Sequence, residues 1–376
     1  MFKGNRMQKI KNIEFLRVIG CIAIVLLHLF NKELWKFFTD VNFYNSLKSM
    51  TANGQKAVDL FFIISGFFFA YKLCTNVSII DFAKRKLLRF YPVMLFVVIV
   101  SSVLACLGIV KPVNLYDTIM ALLCLNGTGL ILDRTGCYVG VFWYVSAMFW
   151  VMLIFYYLRK HFDKKSVDIV LALCVYFAYA FLIQARHGKI AAADQNFYYI
   201  FNVGLLRALG GIGIGYFIGE WFKEYKNKIH IYNINTIQFI GISVLEFACI
   251  FFMINNLMLR KLFYQSDFIY IAVFTILIIL FLIKKGLFSQ ILDNNLWAKL
   301  SKYTYSIYMT HYFVIRVLEN NTWKNHLDWF TLHPYFTIAS TLGLILIVGI
   351  LTYHFVEEPA ARYLNNKIKK EQNHGT

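Results

Sequence analysis

In the stretch "RVIGCIAIVLLH", residues 17–28, ten uncharged residues separate Arg17 from His28. Eleven helical steps of 100° return to the same face within about 20°, and the rise carries the chain roughly 16 Å along the axis. Two ionisable groups on one stripe of an apolar helix point to a polar interior, because charge inside a membrane faces a cavity or a partner. A guanidinium suits an anion, and an imidazole can take a proton from a hydroxyl or act as a nucleophile. The spacing leaves base and nucleophile equally open. Arg17 also has a local reading, pairing with Glu14 or reaching to headgroups.

Further residues are expected to join this stripe. Asp59, at the start of "AVDLFFIISGF", matches His28 in expected depth and would orient the imidazole. In "KRKLLRFYP", Arg85 and Arg89 stand at i and i+4 on one helix face, a pairing suited to phosphate oxygens. Tyr308 and His311 share a face in "YTYSIYMTHYFVIR". Arg207 is a second charge expected to face a cavity. Gly211, Gly215 and Gly219 form a small-residue stripe for close helix packing rather than a phosphate loop, since no strand precedes them. His354 has Glu357 and Glu358 at i+3 and i+4, a local pairing. An anion site at one end and a proton-transfer group at the other suit an acyl-CoA, whose extended arm is of the order of the 16 Å offset.

The elements that must place these groups follow from composition. The 376 residues are 59% hydrophobic and only 15% charged, the signature of an integral membrane protein. Apolar segments predict ten spans, 13–30, 57–72, 90–110, 140–158, 167–183, 199–218, 234–253, 268–283, 303–318 and 336–355, in one all-α domain. The segment 117–125 is too short to cross. The basic N-terminus resembles a signal peptide, but Arg17 and the missing cleavage site predict a retained first span. With both termini cytoplasmic, 23 of the 38 lysines and arginines fall on cytoplasmic tails and loops and 11 on the opposite loops. That bias obeys the positive-inside rule, so the net charge of +18 needs no nucleic acid. Seven scattered cysteines form no metal or disulfide pattern.

Five motifs, in order along almost the whole chain, resemble those of the acyltransferase 3 family, multispan bacterial enzymes that O-acylate surface glycans. They are "FLRVIGCIAIVLLH", "VDLFFIISGFFFAY" with Ser65 and Gly66, "FAKRKLLRFYPVML", "YTYSIYMTH" and "FVEEPAARYL". The resemblance implies His28 as catalytic histidine, Arg17 as its partner, and Arg85 and Arg89 as acyl-CoA ligands. It extends to Asp59, Ser65, Tyr308, His311 and Glu358. The sequence departs from the family in "VFWYVSAMFWVML", where Ala147 and Met148 stand in place of a glutamate, and in Arg85-Lys86, where a paired arginine is usual.

The resulting expectation is a multi-pass O-acyltransferase of the bacterial cytoplasmic membrane, with no metal and no resident cofactor. Acyl-CoA, expected to be acetyl-CoA, is the co-substrate, and an envelope or lipid-linked glycan is the acceptor. The rival is a transporter of a glycan or small anion, whose internal hydropathy repeat is not found.

Overall fold

The computed structural model describes residues 10–31, 41–128, 130, 139–190, 196–197, 201–259, 267–318, 333–364 and 366. Helices stand at all ten predicted spans: α1 (Lys11–Phe30), α3 (Ala57–Tyr71), α4 (Ile79–Cys106), α6 (Val139–His161), α7 (Lys164–Arg186), α8 (Val203–Ile231), α9 (Thr236–Ile254), α10 (Phe268–Ile283), α13 (Thr304–Leu318) and α14 (Pro334–Thr352). Short helices fill the connections: α2 (Val41–Thr51), α5 (Leu115–Leu122), α11 (Leu287–Ile291) and α12 (Asn295–Leu300). Among the described residues the strands are one antiparallel pair, Asn196–Phe197 with Phe201–Asn202. The first two residues of the predicted span 199–218, and the tail beyond 366, lie outside the described residues.

Seven of the described helices are long and apolar enough to cross a bilayer. The other three, α3, α10 and α13, have 15, 16 and 15 residues, about 22–24 Å of rise against a hydrocarbon core of about 30 Å. These short helices lie inside the bundle, with α1, α6 and α8. The long helices α4, α7, α9 and α14 are buried over only 17–28% of their apolar stretches and form the outer layer. Apart from Asp59 and Ser65, α3 is apolar on nearly all sides, as suits an enclosed helix. The segment 117–125, read as too short to cross, contains most of the eight-residue α5, which Asn114 caps by accepting from the Asp117 N–H at 2.7 Å.

Two helices extend more than ten residues beyond the predicted spans. α4 starts at 79 rather than 90, because Ser78 caps it by accepting from the Asp81 N–H at 3.0 Å; Arg85 and Arg89 therefore lie on its early turns. α8 continues to residue 231, because Gly219 still packs on α3 near the Phe67 carbonyl and Phe222 still meets the Tyr71 ring.

α3 and α8 approach each other closely, backbone against backbone. Contacts advance together along both chains, from Phe62 with Gly211 to Phe67 with Gly219, so the helices run parallel. A side chain at Gly215 would collide with the Ile63 carbonyl, and one at Gly66 with the Ile212 carbonyl. The predicted small-residue stripe is thus a seam where backbone meets backbone. Replacing Gly215 by Val should cost about 1–3 kcal/mol through overpacking and lower the melting temperature in detergent. Gly241→Val, at an exposed position of α9 with open space around it, should leave the melting temperature unchanged within error.

Candidate functional site

α1 and α13 carry the site and run parallel. The Cys21 thiol reaches the Thr304 carbonyl at 3.6 Å, and seven residues further along each helix His28 meets His311, with ring centroids 5.2 Å apart. Equal steps on both helices keep the pairs in register. The Tyr312 ring stands edge-on to His28 at 5.2 Å, and its hydroxyl accepts from Arg316 at 3.0 Å. α6 closes this end: the Tyr308 hydroxyl donates to the Val141 carbonyl at 3.2 Å, and Gly140 leaves room for the Tyr312 ring.

His311 is fully buried. Its Nδ1 lies 2.6 Å from the Tyr308 carbonyl and 3.2 Å from that of Ile307. A carbonyl only accepts, so Nδ1 carries the proton, and in the neutral ring Nε2 presents a lone pair. Among the described residues, no group is hydrogen-bonded to that atom. Next along the seam, Tyr308 faces Tyr144 at 5.6 Å, and the Tyr144 hydroxyl shares a hydrogen bond with Ser65 at 3.2 Å. His28, His311, Tyr312, Tyr308, Tyr144 and Ser65 thus form one polar and aromatic seam between α1, α3, α6 and α13.

The Arg17 end is a charge cluster. Arg17 donates to Glu14 at 2.9 Å, the local pairing expected from the sequence. Ser306 donates to Glu357 at 2.6 Å, tying α13 to the residues after α14. Arg89 is accessible, and the charges of Arg17, Glu357 and Glu14 bear on it. Two arginines from α1 and α4 therefore share one pool of carboxylates. Arg85 is exposed one turn earlier on α4, and its charge is felt at Tyr156 instead.

Asp59 does not take the place expected for it. Gly54 abuts the Ala23 carbonyl and Leu27, and Leu60 and Phe61 lie over Gly20, so Asp59 is level with the middle of α1 rather than with His28. Its carboxylate accepts from Arg207 through both oxygens, at 3.1 and 2.9 Å. The same guanidinium donates to the Gln55 carbonyl at 3.1 Å and stacks on Trp143. Arg207, expected to face a cavity, is instead 1% exposed and packed within protein. Beside this pair, Lys56 meets Asp267 at 2.7 Å and lies 3.8 Å from the centre of the Tyr270 ring. These buried pairs join α3, α8 and the start of α10.

Glu358 makes the local pairing with His354 expected from the sequence. It accepts from His354 at 3.3 Å and from Arg362 at 2.9 Å, away from the seam. Residues 353–357 form a π-turn, whose extra residue per turn rotates the helix face and brings Glu357 to Ser306. Glu14, Tyr144, Ser306, Tyr312 and Glu357 are site residues the sequence reading did not select. The signals present were a buried-looking glutamate one turn before Arg17 and hydroxyls beside named motif positions.

The long apolar helices define a multi-pass membrane protein, and the chain belongs to the acyltransferase 3 family, whose acyltransferase domain matches residues 10–353. A curated relative, Acyltransferase MdmB of Streptomyces mycarofaciens, is 26% identical over 99 residues. That alignment covers 26% of this chain and 25% of the relative. No solved structure matches the chain.

Removing one partner of the buried Asp59–Arg207 pair should leave an uncompensated charge and cost about 3–5 kcal/mol. Asp59→Ala should lower the melting temperature of the detergent-solubilised protein sharply. The double replacement Asp59→Leu with Arg207→Met should recover most of the loss; failure to recover would show that the charges are needed for more than mutual neutralisation.

Proposed function

We propose that the protein is a membrane O-acyltransferase of the bacterial cytoplasmic membrane. It moves an acyl group, acetyl in this reading, from cytoplasmic acyl-CoA to a hydroxyl of an envelope or lipid-linked glycan. The observation that carries the proposal is the in-register α1–α13 pair, which sets an arginine cluster at one end of a polar seam and paired imidazoles at the other. Membership of the acyltransferase 3 family supports the reaction class.

The donor's phosphates would sit on Arg17 and Arg89, displacing the carboxylates that now face them, with Arg85 at the approach. The pantetheine arm would run along the seam and bring the thioester near His28, roughly 16 Å away by helix rise. His28 takes the proton of the acceptor hydroxyl as the oxygen attacks the thioester carbonyl. The carbon–sulfur bond breaks as the tetrahedral intermediate collapses, and the imidazolium returns its proton to the CoA thiolate. Tyr308, Tyr144 and Ser65 supply hydroxyls along the path, and Asp59 with Arg207 holds the frame.

Free-CoA release from acetyl-CoA tests the proposal, using purified protein supplied with a crude envelope-glycan fraction. His28→Ala should reduce acceptor-dependent release by at least the factor of about 10²–10⁴ that a general base contributes. Arg89→Ala should raise the KM for acetyl-CoA more than it lowers kcat, as loss of uniform binding does. Release absent from folded wild-type protein, with shorter and longer acyl donors also tried, would overturn the reading and turn attention to transport.

A further inference from the structure

Every residue of the enclosed helix α3 is buried except Phe61, Ser65, Phe68 and Tyr71. At 100° per residue these four fall within an arc of about 120°. Lys72 follows them, exposed, with its ammonium 5.1 Å from the centre of the Phe68 ring. One accessible stripe on an otherwise buried helix borders an internal groove. The groove runs along α3 from Lys72 to Phe61 and stops there, since Ala57 and Val58 are buried.

The Phe61 ring closes that end. It lies over Gly20 of α1, where an added Cβ would meet Phe61 Cζ at 3.2 Å, and its centroid is 6.2 Å from that of Tyr144 on α6 and 6.4 Å from that of Tyr308 on α13. The two tyrosines are tied in place, Tyr144 through Ser65 and Tyr308 through the Val141 carbonyl. A phenyl ring has no polar group to tie, so Phe61 is the ring of the three that is able to turn aside. Gly20 stands three residues past Arg17 and eight before His28, about 4.5 Å and 12 Å of helix rise. The ring therefore separates the arginine cluster from the imidazoles.

We propose that Phe61 is the gate of the donor path and sets the width of the acyl group that reaches His28. The inference rests on the acyltransferase reading and deepens it. A donor whose phosphates rest on Arg17 has to thread its acyl end past the ring before the thioester can arrive at His28. An unbranched acyl chain is no wider than the cysteamine end of the arm that follows it, so a ring that rotates to another staggered position for one admits the other. A branched or aromatic acyl group is wider than the arm and meets the ring. Gly20 gives the ring its seat on α1, and a side chain there would press it further into the groove.

Acetyl-CoA and benzoyl-CoA differ in width and share everything else the site would hold. Their dissociation constants are measured by calorimetry on the detergent-solubilised protein, and CoA release is followed with the envelope-glycan fraction. Wild type should prefer acetyl-CoA. Phe61→Ala should narrow that preference about tenfold or more, within the range a hydrophobic pocket achieves, and Phe61→Leu, which keeps the space filled, should narrow it by less. Gly20→Ala should weaken acetyl-CoA binding and sharpen the preference by overpacking, and combining it with Phe61→Ala should abolish the sharpening, because no ring is left to press. A preference identical in wild type, Phe61→Ala and Phe61→Leu, with CoA release intact, would overturn the inference and leave the acyltransferase reading in place. Width-dependent binding that shifts as stated in a protein that releases no CoA would keep the gate and remove the acyltransferase reading. Binding of neither donor by any of the proteins would overturn both.

Discussion

Everything in the bundle is hung on the contact between α3 and α8, where two backbones touch and a buried carboxylate is neutralised by a buried guanidinium at one end. The glycines permit the approach, and the Asp59–Arg207 pair fixes its register. Sliding one helix along the other would strand both charges in a medium that cannot solvate them. The second pair, Lys56 with Asp267, extends the constraint to α10. Apolar packing between helices in lipid gains little from hydrophobicity, because lipid is as apolar as leucine. Specific polar contacts and close backbone approach therefore decide which arrangement is adopted.

That frame explains how the seam between α1 and α13 can hold so many polar groups. α13 carries Ser306, Tyr308, His311 and Tyr312 on its enclosed surface, and all but the orphaned Nε2 of His311 have been given partners from neighbouring backbone or side chains. Its hydroxyls look to Val141 and to the π-turn after α14. The seam tolerates these polar groups because nearly all of them are satisfied in place.

Much of this was legible in the chain. Positions of the ten helices follow from runs of apolar residues, the Arg17–His28 stripe from simple helical arithmetic, and the glycine seam from a four-residue spacing. Partners far apart in sequence were not legible. Asp59 and Arg207 are separated by 148 positions, and depth estimated from span ends placed Asp59 beside His28 because nothing in the sequence discloses that Gly54 already tucks against Ala23. Glu358 entered through its glutamate-proline motif, and regular helical stepping does not anticipate the π-turn that brings Glu357 to Ser306. The early start of α4 was hidden by its charge, since a lysine-rich and arginine-rich segment reads as loop until its serine cap is recognised.

The polar seam has an electrical consequence. An applied potential falls mainly across the low-dielectric layer, and the Arg17–His28 stripe rises about 16 Å along α1, roughly half of a hydrocarbon core of about 30 Å. A charge that moved from one end of the seam to the other would cross a comparable share of the membrane potential, about 1 kcal/mol per elementary charge at 100 mV.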